Sequence, residues 1–212
     1  MHTTRIIAIR HGETAWNVVT RVQGRLDIGL NDTGRWQVRR VAQALAGEPI
    51  SAIYTSDLQR AWDTARCIAE ATGGALQTHA GLRERDFGEF QGKTVAEIET
   101  CWPEQARCWR QRDPDWAPPG GESLLQLRQR VVQAASDLAQ RHPGEQIVLV
   151  AHGGVMDVLY RAATGQALQA PRTWKLGNAA INRLLWSAAG LSLVGWADTR
   201  HLDDETLEET SS

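Results

Sequence analysis

The feature that most constrains the fold is the regular alternation of short apolar runs with longer amphipathic stretches. Apolar runs of strand length lie at residues 6–9, 52–54, 75–78 and 147–150, and helical patterns lie at 33–46, 58–72, 123–141 and 154–164. This alternation is typical of parallel strands that are connected by helices. The sequence therefore predicts an α/β fold, a three-layer sandwich with a mainly parallel central sheet and helices on both faces.

Capping and turn signals organise the rest of the chain. Capping boxes at residues 56–59, 94–97 and 123–126 predict three helix starts. Apart from the short helix that begins at Thr94, the stretch 79–122 is expected to be irregular. Two apolar runs, Ile181–Trp186 and Leu191–Trp196, flank Ala189-Gly190 and predict a hairpin.

The predicted organisation is one domain over residues 1–202, followed by an acidic tail at 203–212. The tail has no aromatic residue and is expected to be frayed. Within the domain, residues 94–120 interrupt the strand–helix alternation. They are expected to form a lid-like insertion over one end of the sheet.

Charge and cysteine content restrict the classes of partner. The formal net charge is -2 and the pI is about 6.3, which argues against nucleic acid or membrane recruited by bulk charge. No apolar run approaches the roughly 18–20 residues of a membrane span, and the first residues carry no signal-like stretch. The three cysteines form no CxxC pair. We therefore expect a cytoplasmic protein with reduced thiols.

Histidines and arginines follow the predicted strands at the point where each strand ends. The first strand leads into Arg10-His11-Gly12, the fourth into His152-Gly153-Gly154, and the second through Ser56-Asp57 to Arg60. Because the carboxyl ends of parallel strands meet at one edge of a sheet, these side chains are expected to converge. Guanidinium forks match phosphate oxygens, imidazole is a nucleophile, and Gly12 and Gly153 would let the backbone approach an anion. The cluster predicts a phosphoryl-transfer site.

The ordered set of motifs resembles that of a known family. The matching segments are Arg10-His11-Gly12-Glu13-Thr14, Trp16-Asn17, Gln23-Gly24, Ser56-Asp57-Leu58-Gln59-Arg60-Ala61 with Thr64-Ala65, Leu82-Arg83-Glu84, Phe87-Gly88-Glu89-Phe90-Gln91-Gly92, Gly120-Gly121-Glu122-Ser123 and Ala151-His152-Gly153-Gly154. On these residues the chain resembles the histidine phosphatase superfamily, in the branch that includes cofactor-dependent phosphoglycerate mutases. The resemblance implies a phosphoglycerate mutase-like sandwich and a histidine acid-type phosphatase that acts on a small phosphorylated substrate. It also implies that no metal or cofactor is needed.

The resemblance further implies a role for each matching residue. His11 would attack phosphorus and become phosphorylated, and Glu84 would protonate the leaving oxygen and then activate water. Charge on the phosphoryl oxygens would be held by Arg10, Arg60 and His152. Neutral hydrogen bonds to the phosphate would come from Asn17, Gln23, Gly24 and Gly153.

Taken singly, several of these residues have simpler explanations. Glu84 lies in a charged run that is typical of a solvated loop, and Arg60 could pair with a neighbouring aspartate on a helix surface. Asn17 and Gln23 are loop amides of the kind that satisfy local backbone. Glu122 could do no more than complement the N-terminus of the helix that follows it.

Two features favour a phosphatase over a mutase. The mutases carry a longer, basic insertion after the position of Glu84, and they tend to have a polar residue where Gly154 stands. The corresponding stretch here balances acidic against basic side chains: Glu97, Glu99, Glu104, Arg107, Arg110 and Arg112. Because the three arginines still allow an anionic substrate, mutase activity is kept as the alternative. The substrate is left open among sugar phosphates, phosphoglycerates, nucleoside monophosphates and α-ribazole phosphate.

Other hypotheses also stay open at this point. A metal-dependent hydrolase with His11 and His152 as ligands lacks any close metal-ligand spacing such as HExxH, and the arginines would repel a cation. A phosphate-binding module would have no need for Glu84 as a proton donor. Three tryptophans of the insertion, Trp102, Trp109 and Trp116, either stack on substrate or form its own small core. The hairpin could also be an edge at which the protein forms a homodimer.

Overall fold

The computed structural model describes residues 3–203, in which a six-stranded sheet lies between two layers of helices. The strands are β1 (Thr4–Arg10), β2 (Ala52–Thr55), β3 (Ala75–Thr78), β4 (Gln146–Ala151), β5 (Ile181–Ser187) and β6 (Gly190–Asp198). The helices are α1 (Ala15–Val18), α2 (Asp32–Leu45), α3 (Gln59–Thr72), α4 (Val95–Cys101), α5 (Pro103–Gln111), α6 (Leu124–Gln140) and α7 (Gly153–Thr164). Three 3₁₀ turns lie at Ala80–Leu82, Gly88–Phe90 and Arg200–Leu202.

The sheet has the order β3-β2-β4-β1-β5-β6. Its first four strands are parallel, β5 pairs antiparallel with β1, and β6 pairs antiparallel with β5 as a hairpin. Among the six described strands, β5 is therefore the one that runs opposite to the others. The predicted mainly parallel sheet and the predicted hairpin are both confirmed.

Side chains alternate along the strands and fill a core on each face of the sheet. On one face, Ile6 and Leu149 pack among residues of α6 and α7. On the other face, Ile7 and Val148 pack among residues of α2 and α3. Both faces of the central strands are buried, which explains why their sequences are continuous apolar runs. The three-layer sandwich is confirmed.

The predicted capping box at 56–59 is wrong. Helix α3 begins after Leu58, whose side chain makes no capping hydrogen bond. The Ser56 hydroxyl instead accepts from the Leu58 N–H at 3.3 Å, and the free Gln59 N–H donates to the Asp27 carboxylate at 2.7 Å. A capping group from a distant segment has replaced the local one. The boxes at 94–97 and 123–126 are confirmed.

The stretch 79–122 is more ordered than the sequence predicts. It contains α4 as expected, but Pro103 opens a second helix, α5, although the sequence predicts an irregular segment there. Proline is well suited to the first position of a helix because the N–H that it lacks would have no helical partner there. Around Phe90, which is fully buried, this segment forms a cluster of its own with Ile98 and Ala106.

Two further predictions concern membrane-spanning segments and the C-terminal tail. Between residues 3 and 203, no helix is both long and apolar enough to cross a membrane. Asp203 is the last described residue, so the predicted acidic tail lies almost wholly outside the described residues. The division into one domain and a tail stays a prediction.

Candidate active site

The register between β1 and β4 places the two predicted histidines side by side. Arg10 pairs with Ala151 in this parallel ladder, and the His11 N–H donates to the Ala151 carbonyl at 3.0 Å. The next residue along each strand is a histidine, and the ring centroids of His11 and His152 lie 5.2 Å apart. Both side chains are buried. The two strand ends therefore meet as expected.

His11 is held as a neutral imidazole with one free nitrogen. Its Nδ1 lies 2.7 Å from the Gly12 carbonyl oxygen, and because a carbonyl can only accept, Nδ1 must carry the proton. Burial lowers the pKa of His11 well below its usual range, and the positive charges of Arg60 and Arg10 lower it further. At neutral pH the Nε2 atom therefore has a lone pair, as a nucleophile requires.

Two guanidinium groups flank His11 without a carboxylate bound to them. Arg60 is buried in the first turn of α3 and donates to two backbone carbonyls, at 2.7 and 2.8 Å. Arg10 donates to the carbonyl of Leu176. Within residues 3–203, neither arginine forms an ion pair, and the Nε atoms of both lack a hydrogen-bond partner. Because a desolvated cation without a counter-charge is costly, this pair favours a bound anion.

The structure excludes the simpler explanation of Arg60. An exposed helix-surface arginine paired with a neighbouring aspartate is wrong, because Arg60 is only 1% exposed. Asp57 is bound by Arg83 instead, with Arg83 Nε at 2.7 Å from its Oδ1.

Further buried polar atoms without a protein partner lie near His11. In the described chain, both ring nitrogens of His152 and the Oε1 atom of Gln23 have no hydrogen-bond partner. Burial lowers the pKa of His152 well below its usual range, and the charge of Arg60 adds to the effect, so this ring is neutral as well. Since buried polar atoms are normally paired, the His152 nitrogen that carries the proton indicates a position for an oxygen of an anion, whereas Gln23 Oε1 can only accept a hydrogen bond.

Glu84 approaches the same point from the segment that follows the first 3₁₀ turn. Both of its carboxylate oxygens lie 3.1 Å from the Gly154 nitrogen, and Oε1 also accepts from the Arg85 N–H at 2.7 Å. A Cβ atom at position 154 would come closer to Glu84 Oε1 than any allowed contact. The glycine therefore permits the carboxylate to reach the N-terminus of α7. Glu84 is half-buried and not part of a freely solvated loop.

Arg130 of α6 fixes the backbone that carries Glu84. Its guanidinium donates to the carbonyls of Gly81, Arg83 and Glu84 at 3.0, 2.8 and 3.0 Å. The same group binds both oxygens of the Glu122 carboxylate, at 2.6 and 2.8 Å. Glu122 is thus more than a charge at the start of α6, because it holds Arg130 against the Glu84 segment.

Asn17 has a local partner and a distant one. In α1 its Oδ1 accepts from the Thr14 N–H at 3.0 Å, which completes a capping box. The amide of Asn178 donates to the same oxygen at 3.3 Å and to the His11 carbonyl at 2.9 Å. Asn17 therefore does satisfy local backbone, as the simpler explanation held, and it is also tied to the backbone of His11.

The glycines that follow His11 and His152 differ in their surroundings. A Cβ at Gly12 would lie 2.7 Å from the Gly34 carbonyl, and the Gly12 N–H donates to Thr64 Oγ1 at 3.1 Å. Gly12 is therefore required by close packing against α2, and its role in letting the backbone approach an anion stays a prediction. A Cβ at Gly153 would meet Arg10 at an ordinary 3.7 Å, so space alone does not demand glycine there.

A cavity of about 420 Å³ brings most of the predicted site residues together. Those that line it are Arg10, His11, Asn17, Gln23, Gly24, Arg60 and Glu84. His152 packs behind His11, whereas Gly153 lines a neighbouring cavity of about 440 Å³. Gly24 has a φ of +53°, and its carbonyl is one of the two that Arg60 binds.

The three tryptophans of the insertion pack around the ring of Phe90. The rings of Trp102, Trp109 and Trp116 all lie 5.7 to 6.1 Å from the ring of Phe90, measured between centroids. This arrangement supports the hypothesis that they form the insertion's own core. Trp109 in addition lines both cavities.

Between residues 3 and 203, no group of three or more His, Cys, Asp or Glu side chains is suited to hold a metal ion. The histidines at the strand ends are instead accompanied by arginines.

Residues 6–199 match the sequence model of the histidine phosphatase superfamily (branch 1). The chain belongs to this superfamily. The resemblance stated from the motifs is thereby confirmed, and phosphohistidine chemistry is characteristic of the family.

Individual relatives of this superfamily cover nearly the whole chain. Phosphoglycerate mutase-like protein 4 of Arabidopsis thaliana is 39% identical over 94% of this chain and 87% of its own length. The metal-independent phosphoserine phosphatase of Arabidopsis thaliana is 36% identical over 94% of this chain and 83% of its own length. A phosphoserine phosphatase of Entamoeba histolytica, solved in complex with phosphoserine, superposes with a TM-score of 0.83 at 28% identity. That alignment covers 94% of this chain and all of the other.

Several residues near the site escaped the sequence analysis. Asn178 and Arg172 lie in the long connection between α7 and β5, where neither periodicity nor a motif singles out a residue. Arg130 is one of several arginines on α6, and only its three-carbonyl contact distinguishes it. The sequence does single out Gly154, because this residue completes the His-Gly-Gly motif. Its contact with Glu84, however, depends on the tertiary structure.

Proposed function

We propose that this protein hydrolyses small phosphomonoesters through a phosphohistidine intermediate on His11. The observation that carries the proposal is the neutral His11 ring, with its proton on Nδ1, between two guanidiniums that bind no carboxylate. Glu84 lines the same cavity and supplies a carboxyl group for proton transfer. The family membership supports the same chemistry.

The first step transfers the phosphoryl group to the enzyme. Nε2 of His11 forms a bond to phosphorus while the ester P–O bond breaks and its electron pair leaves with the alcohol oxygen. The protonated Glu84 carboxyl gives its proton to that oxygen. Arg10, Arg60 and the His152 ring stabilise the charge on the phosphoryl oxygens, with neutral hydrogen bonds from Asn17, Gln23, Gly24 and Gly153.

The second step returns the enzyme to its starting state. The Glu84 carboxylate removes a proton from a water molecule, whose oxygen then attacks phosphorus. The N–P bond breaks, its electron pair returns to Nε2, and inorganic phosphate leaves. Each residue finishes the cycle with the proton with which it began.

In this proposal the enzyme is a histidine acid-type phosphatase that needs neither metal nor cofactor. The test is phosphate release from a panel of phosphomonoesters in EDTA, including p-nitrophenyl phosphate and 3-phosphoglycerate. We expect wild type to release phosphate and His11→Ala to release none. Wild-type activity that disappears in EDTA and returns with a divalent ion would contradict metal independence.

Mutase activity is the second candidate, because a phosphoglycerate mutase-like relative is 39% identical. The structure gives more support to hydrolysis, since the three arginines of the insertion already form ion pairs with acidic side chains. Arg107 pairs with Glu104 at 3.1 Å, Arg110 pairs with Glu99, and Arg112 pairs with Asp157 at 2.8 Å. Phosphorus NMR of a 3-phosphoglycerate incubation separates the two, because hydrolysis yields phosphate whereas a mutase yields 2-phosphoglycerate.

Two earlier predictions stay predictions. A cytoplasmic location agrees with three cysteines that are all unpaired in the described chain. A homodimer through the hairpin agrees with the position of β6 at the edge of the sheet, where Leu193 and Val194 are exposed. Light scattering tests the dimer, and a monomeric mass would contradict it.

A further inference from the structure

A second cavity opens beside the one that holds His11. It has a volume of about 440 Å³ and shares Arg10, Phe87, Trp109 and Arg172 with the first cavity. A phosphomonoester bound with its phosphorus at His11 would therefore have room for its alcohol part here. The charges on the walls of this second cavity show what kind of alcohol fits.

Arg85 is a buried cation on the wall of the second cavity. Its side chain is 4% exposed, and its Nε donates to the Glu122 carbonyl at 2.7 Å. Its guanidinium also lies over the ring of Phe87, 5.3 Å from the centroid. In the described part of the chain, no carboxylate lies within ion-pair distance of Arg85. This is the same feature that marks Arg10 and Arg60, a desolvated cation without a bound counter-charge.

The charge of Arg85 persists at neutral pH. Burial lowers the pKa of Arg85 to about 10, while the acidic groups of Glu122 and Glu84 act in the opposite direction. A pKa of about 10 leaves the guanidinium protonated under physiological conditions.

Arg172 is a second cation at the junction of the two cavities. It is exposed, lines both cavities, and makes no hydrogen bond or ion pair with residues 3–203. Its charge contributes to lowering the pKa of Arg10, so the two guanidiniums influence one another electrostatically. An anion between them would remove this repulsion.

The one carboxylate on the wall of the second cavity does not neutralise these cations. Asp157 accepts from Arg112 at 2.8 Å and from Arg161 at 3.0 Å through its Oδ2 atom. Its charge is therefore already shared between two other arginines. The second cavity therefore keeps a net positive wall, to which Arg85 and Arg172 contribute together with Arg10.

We propose that the preferred substrate carries a carboxylate on its alcohol part, bound in the second cavity by Arg85 and Arg172. The inference rests on the proposed phosphatase function. A carboxylate fits better than a second phosphate, because the catalytic cavity surrounds its phosphate with two arginines and two histidines. Of the four arginines that line the second cavity, Arg10 serves the proposed catalytic phosphate and Arg112 is paired with Asp157. Arg85 and Arg172 are left, one buried and one exposed, which suits a group with a single negative charge.

Two substrate pairs that differ at the carboxylate test this proposal. One pair is O-phosphoserine and O-phosphoethanolamine, and the other is 3-phosphoglycerate and glycerol 3-phosphate. Phosphate release is measured for wild type, Arg172→Gln and, as a matched control, Arg128→Gln. Arg128 is exposed on α6 and lines neither cavity. Arg172 is exposed, so its replacement leaves the fold intact.

The expected result is a preference of wild type for the carboxylated member of at least one pair by about tenfold in kcat/KM. Arg172→Gln should lower kcat/KM for that carboxylated ester by about tenfold, mostly through KM, which matches the loss of one charged hydrogen bond. Its effect on the carboxylate-free partner should stay below about twofold, and Arg128→Gln should change neither. Arg85→Lys should weaken the same carboxylated ester, because lysine keeps the charge but loses the planar fork.

Other outcomes separate the inference from the proposed function. If His11-dependent phosphate release is equal for both members of both pairs, the carboxylate proposal is wrong and the phosphatase proposal stands. An equal loss for both members in Arg172→Gln also overturns the carboxylate proposal. If a second phosphate replaces the carboxylate with equal or better kcat/KM, the choice of carboxylate is wrong. If no ester releases phosphate, both proposals fail.

Discussion

At the scale of single residues, the site depends on which nitrogen of His11 is free. The carbonyl of Gly12 fixes the proton on Nδ1, and the Asn178 amide holds the His11 carbonyl from the other side. Burial and two neighbouring guanidiniums keep the ring neutral. These contacts are supplied by different segments of the chain. Together they leave Nε2 with the lone pair that the proposed attack on phosphorus requires.

The low pKa of the two buried histidines predicts a pH dependence of stability. In the folded state His11 and His152 stay neutral at a pH at which unfolded histidines, with a pKa of about 6.5, bind protons. The unfolded state therefore binds more protons below that pH, and the free energy of unfolding falls as the pH drops. Each histidine contributes a slope of up to about 1.4 kcal/mol per pH unit in this window. Above about pH 6.5 the contribution is constant.

Urea unfolding at pH 7.5 and pH 5.5 measures this effect. Wild type should lose more stability between the two pH values than His11→Asn, which removes one of the two titrating rings. An equal loss in both proteins would show that His11 is not responsible.

In this chain, Gly154 should be important for activity because of its contact with Glu84. In Gly154→Ala the added Cβ would displace the Glu84 carboxylate, so proton donation to the leaving oxygen is impaired. We expect kcat for an alkyl phosphate to fall by about 100-fold, within the range for loss of a general acid. The loss should be smaller for p-nitrophenyl phosphate, whose leaving group needs less protonation.

Gly153→Ala provides the comparison, because its Cβ would lie at an ordinary 3.7 Å from Arg10. Its loss of kcat should be the smaller of the two and should not depend on the leaving group. Equal losses in the two variants would contradict the account of Gly154.

At the scale of secondary-structure elements, α6 supports the site from behind. Arg130 joins this helix to three carbonyls of the Glu84 segment and to Glu122 just before the helix. The helix thereby sets the position of Glu84, the proposed proton donor. The insertion, by contrast, is held by its own aromatic cluster around Phe90.

Arg130→Ala should act through Glu84. Without the hydrogen bonds of Arg130 to the Glu84 segment, kcat for glycerol 3-phosphate should fall by about tenfold or more, since a small displacement of a catalytic group lowers the rate strongly. KM should change little, and p-nitrophenyl phosphate should be affected less. Arg128→Gln on the same helix is the matched control and should behave as wild type. A change in KM alone would assign Arg130 to substrate binding instead.

Phe90→Ala should destabilise the insertion. The ring is fully buried between three tryptophans, so its removal leaves a cavity that costs about 3–4 kcal/mol. Tryptophan fluorescence should report the loss in urea unfolding. A loss below about 1 kcal/mol would show that the cluster repacks or contributes little.

At the scale of the whole molecule, the sheet order explains the position of the site. The strands β1 and β4 are neighbours at the centre, and β2 lies on the other side of β4, so their carboxyl ends deliver His11, His152 and Arg60 to one edge. The antiparallel hairpin then extends the sheet on the far side of β1. The site lies at the carboxyl ends of parallel strands, as is general for open α/β sheets.

The sequence predicts those parts of this arrangement that are encoded locally. Apolar runs reveal the central strands because both faces of each strand are buried. Once the end of a strand is predicted, the residue that follows it, such as His11 or His152, is placed at the edge of the sheet. The sequence places the start of α3 correctly but not its cap, and it does not reveal α5, because a distant carboxylate caps α3 and a proline at the first position opens α5. Arg130 and Asn178 act across separations of 46 and 167 residues, which no local pattern reveals.

The central claim is that His11 carries the phosphoryl group during turnover, and trapping it is the most direct test. Wild type is mixed with a fast phosphomonoester, denatured at alkaline pH, where phosphohistidine survives, and digested for mass spectrometry. The account predicts a mass increase of one phosphoryl group on the peptide that contains His11 in wild type, and none in His11→Asn. Phosphate release by wild type with no label on that peptide, or with label on another residue, would contradict the account.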